Sequence, residues 1–255
     1  MKKLLLLSAL LVFACVFGQI PITDANFNQA ISTCLSTNPV DGMCSDSEYG
    51  AMPNWDVSNV THMGDAFKWK NDFNADISNW DVSNVSDMEA MFIGTAFNQP
   101  IVNWDVSNVR NMFHMFAYSE FNQHLGNWDV SNVRDMVMMF ADSEFNQPIG
   151  DWDVSNVTNM ASMFAGTAFN QPIGDWDVSN VRNMSGMFHN SEFNQPIGNW
   201  DVSNVYSMLG MFKETYSFNQ NLSNWNVENV RSCSNFSGDL TSWTLPKPNF
   251  TNCNP

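Results

Sequence analysis

The apolar positions of this chain return on a fixed schedule. In the stretch Phe145–Ala168 they fall at Phe145, Ile149, Trp152, Val154, Val157, Met160, Met163 and Phe164, and the same pattern then begins again at Phe169. Tryptophan recurs at 55, 80, 104, 128, 152, 176, 200 and 225, a step of 24 residues with one extra in the first and last intervals. A constant period of this length marks an array of stacked supersecondary units, because one such unit cannot bury its apolar face alone. Trp, Phe and Met rows this regular read as core.

Within each unit, Phe-Asn-Gln-Pro-Ile and the Val-x-x-Met segment are expected to form two short strands, and Met-x-x-Met-Phe has the apolar spacing of one helical turn. Pro100, Pro148, Pro172 and Pro196 must start a strand or sit where no donor is needed. The Asp-Val-Ser-Asn segment between them carries turn chemistry. Asn98, Asn122, Asn146, Asn170 and Asn194 are expected to stack amide on amide. The fold class is therefore a β-rich α/β solenoid of about seven to eight 24-residue coils over residues 54–236, capped at both ends.

The flanks differ from the array. Over residues 19–53, Thr23 or Asp24 can cap a helix with apolar positions Ala25, Phe27, Ile31, Cys34 and Leu35, ended by Asn38-Pro39 and Asp41-Gly42. A short helical cap would cover the first coil. Beyond Trp225 the pattern decays, and residues 237–255 read as the closing cap.

Residues 1–18 pair Lys2 and Lys3 with the apolar run Leu4–Phe17 and small residues before Gln19, the form of a secretory signal. Cys15 as a lipid anchor is disfavoured by the bulk of Phe13. Without that segment, 8 basic residues face 26 acidic ones, a formal charge of −18. Such a surface argues against nucleic acid or an anionic membrane as partner. It suits cations or a basic patch. In an exported chain the four remaining cysteines read as two disulfides, and pairing within each flank (Cys34 with Cys44, Cys233 with Cys253) is the economical arrangement.

The motif FNQPIGNWDVSNVTNMxxMF, spread over residues 54–236, resembles the BspA-like bacterial surface-protein repeats, which also occur in mycoplasma lipoproteins. That resemblance implies a leucine-rich-repeat-like solenoid at the cell surface. It also implies a role in adhesion or recognition of other proteins, extracellular-matrix proteins or other surface proteins among them.

Chemistry is sparse. Every abundant polar residue repeats for a packing reason, and His62, His114, His124 and His189 sit at different repeat positions, so no catalytic constellation is expected. Asp81, Asp105, Asp129, Asp153, Asp177 and Asp201 form a row whose carboxylates either bond their own turns or hold calcium with neighbouring Asn carbonyls. No other cofactor is expected. A binding face would be written where copies differ: Arg110, Arg134, Arg182, Tyr206 and Arg231 after the second Val, with Trp69 and Tyr118 before Phe-Asn. The reading is a secreted or cell-surface protein-binding repeat protein. The alternatives are a calcium- or glycan-binding module using the Asp and Trp rows, and a structural spacer.

Overall fold

The computed structural model describes residues 20–238, 240 and 242–255. The signal expected at 1–18, with Cys15, lies outside them. Among the described residues no helix is long and apolar enough to cross a membrane.

The coils pile up in sequence order. Parallel bridges run from His62 to Asp87, Asn111, Asp135, Asn159, Asn183, Ser207 and Ser232, one position per coil. The repeated Phe, Trp, Val, Ile and Met side chains form one continuous buried core along the stack. Phe116, Phe140 and Phe164 lie ring over ring with centroids 5.7 and 5.8 Å apart, and Phe145 packs on Phe140 at 3.9 Å. Tryptophan adds a polar function that Phe could not supply. The Trp152 indole donates to the Leu125 carbonyl of the preceding coil at 3.0 Å, and Trp176 donates to Ile149 at 3.1 Å. Each buried indole N–H is thus satisfied while it clamps two coils.

Two expectations about the repeat are corrected here. Pairing along the array is confined to single bridges, with no strand among the described residues. At Phe-Asn-Gln-Pro the reason is chemical: Pro has no donor, and the Asn98 N–H bonds the side-chain Oδ1 of Asn74 at 3.0 Å instead of a backbone carbonyl. That Oδ1 also takes Nε2 of Gln99 at 3.0 Å. The asparagine row is therefore tied by backbone and Gln donors, not amide on amide.

Nor is Met-x-x-Met-Phe a helical turn. The N–H groups of Met88, Ala90, Phe92 and Gly94 donate to Asn111, Phe113, Met115 and Ala117 of the next coil at 2.7–3.0 Å. The intervening N–H groups of Met91 and Ile93 close four-residue turns on Met88 and Ala90. Left-handed backbone at Ala90 (φ 50) and Gly94 (φ 66) turns alternate peptides along the stack. A helix would have spent those donors internally and removed this set of bonds between coils.

A buried hydroxyl closes the middle coils. Thr167 Oγ1 donates to the Phe164 carbonyl at 2.8 Å and accepts from the Phe169 N–H at 3.4 Å, and Ser119, Ser143 and Ser191 repeat the arrangement. Nothing in the apolar pattern marks this position, although a Ser or Thr stands two residues before most of the Phe-Asn pairs.

The leading cap contains α1 (Phe27–Leu35), which buries Phe27, Ala30, Ile31, Cys34 and Leu35. Ala25 is exposed, and Ala30 takes the place expected for it. Neither Thr23 nor Asp24 caps the helix. Asn26 holds the N-cap position and its side chain accepts from the Thr23 N–H at 2.8 Å, leaving Asp24 for another task described below. Cys34 is bonded to Cys44 with Cα atoms 5.2 Å apart, and Cys233 to Cys253 at 5.9 Å. At the closing cap the Trp243 indole donates to Gln220 at 3.0 Å, and Phe250 packs edge-on against Phe236.

Candidate functional site

The residue after the second Val of each coil forms a hydrogen-bonded column. The N–H groups of Ser86, Arg110, Arg134, Thr158, Arg182, Tyr206 and Arg231 each donate to the carbonyl of the equivalent residue one coil earlier, at 2.8–3.0 Å. The backbone is fixed on both sides, so the side chains alone are free to differ. Arg110, Arg134, Arg182, Tyr206 and Arg231 all project into solvent. Arg110 and Arg134 are consecutive rungs. Arg182, Tyr206 and Arg231 are three more, separated from the first pair by Thr158. Arg231 also bonds the Glu228 carbonyl at 2.7 Å.

Trp69 and Tyr118 stand in a different column and meet each other, with ring centroids 5.9 Å apart. The seven residues named as a candidate face are thus two groups: a ladder of cations with one Tyr, and an aromatic pair.

The Asp row lies on its own turns. Asp81, Asp105, Asp129, Asp153, Asp177 and Asp201 each accept the N–H of the Ser two residues on at 3.0–3.1 Å. Asp105 also takes the Ser107 hydroxyl at 2.6 Å, and these hydroxyl and backbone bonds hold its carboxyl below the usual range. The same cause acts at Asp153 and Asp201. Coil-to-coil contact at this corner comes from Asn. Asn108 Nδ2 donates to the Ser83 carbonyl at 2.7 Å, and Asn132, Asn156, Asn180 and Asn204 repeat it at 2.7–2.8 Å. Among the described residues no group of three or more His, Cys, Asp or Glu side chains is placed to hold a metal ion. His114 is half-buried, and burial lowers its pKa; its Nε2 lies 2.8 Å from Met138 Sδ.

The family model described as "Mycoplasma protein of unknown function, DUF285" matches residues 39–147 and 141–244. The chain belongs to the DUF285 family. Its two matches overlap inside the array, and each takes in several stacked coils: the first holds Trp69, Tyr118, Arg110 and Arg134, the second Arg182, Tyr206 and Arg231. No curated protein and no solved structure matches the chain.

Proposed function

We propose that this protein is an exported, non-catalytic binding protein that engages another protein through the Arg110–Arg231 column. One observation carries the reading. Columns facing the core hold the same or a closely similar apolar residue through nearly all of the array, whereas the column after the second Val runs Thr61, Ser86, Arg110, Arg134, Thr158, Arg182, Tyr206 and Arg231, with the same coil-to-coil backbone bond from Ser86 onward. The scaffold is constant and this column is not, which is how repeat proteins present a recognition surface.

Arg and Tyr are the residues that anchor protein interfaces, and a guanidinium reads a carboxylate by a two-pronged hydrogen bond. On a chain of formal charge −16 these arginines form a local cationic strip, suited to an acidic patch on a partner. A surface location agrees with the signal-like leader and with the repeat resemblance.

The test uses a partner recovered by affinity capture from extracellular or surface protein and then purified. The parent's affinity is expected to fall steeply as salt rises, and Arg110→Glu with Arg134→Glu to weaken binding at least about tenfold. Undiminished binding by that variant, folded as the parent, removes the column as the site.

A further inference from the structure

The position four residues past the first left-handed residue of each coil is also left-handed. Trp69, Gly94, Tyr118, Asp142, Gly166, Asn190 and Glu214 occupy it, with φ between 52 and 68°. Trp69 and Tyr118 are two coils apart, yet they meet because the residue between them is glycine. A Cβ on Gly94 would lie 2.0 Å from Cε3 of Trp69 and 2.3 Å from Cζ3, so the indole lies across the space that any other residue would fill.

The pair is held but not buried. Trp69 N–H donates to Ile93 at 2.9 Å and Tyr118 N–H to Ala141 at 2.8 Å, so both rings rise from anchored backbone. Trp69 is 54% exposed and Tyr118 46%, whereas the other nine tryptophans are at 5% or less. The planes are tilted by 34° at a centroid separation of 5.9 Å. Between and beside them is a shallow cleft of about 270 Å³ edged by Asn71, Thr95 and Glu120. The Thr95 hydroxyl is spent on the Phe92 carbonyl at 2.8 Å, while Asn71 and Glu120 are exposed.

We propose that Trp69 and Tyr118 are a stacking platform for consecutive pyranose rings of a neutral glycan, with Asn71 and Glu120 bonding its hydroxyls. A pyranose presents an apolar C–H face and a rim of hydroxyls, and this site offers the complement: aromatic faces with an amide and a carboxylate at the border. Rigid aromatic side chains lose little conformational freedom on binding. Two rings standing side by side suit an extended chain better than a single sugar. The acidic surface favours an uncharged glycan over one bearing carboxylates or sulfates. A protein hot spot is instead ringed by contacts that exclude water, and these rings are bordered at once by exposed polar side chains, Lys68, Lys70 and Glu120 among them.

Trp69 alone is open to collisional quenching, so acrylamide quenching of tryptophan emission reads this site against a buried background. The full chain is titrated with cellohexaose, chitohexaose, mannohexaose and xylohexaose, with calorimetry alongside. The expected result is saturable protection of Trp69 by at least one of them. Binding of that sugar should weaken at least about tenfold in Trp69→Ala and in Tyr118→Ala, and be retained in part by Trp69→Phe. Gly94→Val keeps both rings but drives the indole off its seat, and should lose binding as well. Arg110→Glu should leave it unchanged, so this site and the arginine column fail or stand separately. Absence of protection by every sugar overturns the proposal. So does sugar binding that survives Trp69→Ala, or a protein ligand that needs Trp69 where no sugar protects it.

Discussion

The Asp24 carboxylate gives Thr61 the acceptor that each later rung receives from the coil before it. Asp24 Oδ1 accepts the Thr61 N–H at 2.8 Å and Oδ2 takes the Thr61 hydroxyl at 2.7 Å, while the His62 N–H reaches Oδ1 at 3.2 Å. A stack of hydrogen-bonded coils has an unsatisfied first edge, and a side chain from the cap closes it. Asp24→Ala should therefore cost about 1 kcal/mol, the lower end of the range for an orphaned donor, because water reaches this site. Asp24→Asn should recover part of that. Chemical denaturation of the three proteins checks it, and an Asp24→Ala curve superimposed on the parent would remove Asp24 as the edge cap.

Acid should loosen the same contacts. Burial works against the charge of Asp24, but hydrogen bonds from the Thr61 hydroxyl and from the Thr61 and His62 N–H groups outweigh it and lower its pKa from 3.8. Hydrogen bonds from Ser58, Ser78 and Ser107 act likewise on Asp56, Asp76 and Asp105. A carboxyl with a folded pKa below its unfolded one stabilises fully above the unfolded value and loses that contribution as pH falls through the folded one. Melting temperature should thus be insensitive to these groups near neutrality and drop as pH falls below about 4. A melting temperature that rises between pH 4 and pH 2.5 would contradict the sign.

Core loss in mid-stack should be severe. Phe140 lies between Phe116 and Phe164 and also against Phe145, so its removal opens a cavity shared by three coils. Phe140→Ala should cost about 3–5 kcal/mol. Denaturant titration would report a cost under about 1 kcal/mol only if the coils can collapse into the gap.

The left-handed positions make an opposite prediction. Ser162 has φ 54, while its equivalents one and two coils on are Gly186 (φ 61) and Gly210 (φ 59). Ser162→Gly should stabilise by about 0.5–1 kcal/mol, since relief of left-handed strain exceeds the entropy that glycine adds to the unfolded chain. Gly186→Val should destabilise by roughly 2 kcal/mol, because a β-branched residue is strained there and its Cβ would lie 2.9 Å from the Ser162 hydroxyl. Differential scanning calorimetry of both variants distinguishes this from a merely permissive turn.

The Phe-Asn, Trp and Met-x-x-Met-Phe schedule by itself determined that the chain repeats, which side chains face inward and where the array begins to fail, because burial requires apolar groups at fixed intervals whatever backbone carries them. It also placed the Arg110–Arg231 residues at equivalent positions, since equal spacing in a regular stack means one column. It did not reveal how the backbone donors are spent. Apolar spacing at Met88, Met91 and Phe92 fits a helical turn as well as a chain of alternating turns, and only contact with the next coil selects the second. The meeting of Trp69 with Tyr118 was equally hidden, because it depends on the missing Cβ of Gly94 one coil away. Asp24 was expected as a helix cap and is not one, because the edge that it closes instead exists only once the coils are stacked. Periodicity records what must be buried; which hydrogen bond each peptide makes, and which exposed side chains touch, is decided by neighbours about 24 residues distant in sequence.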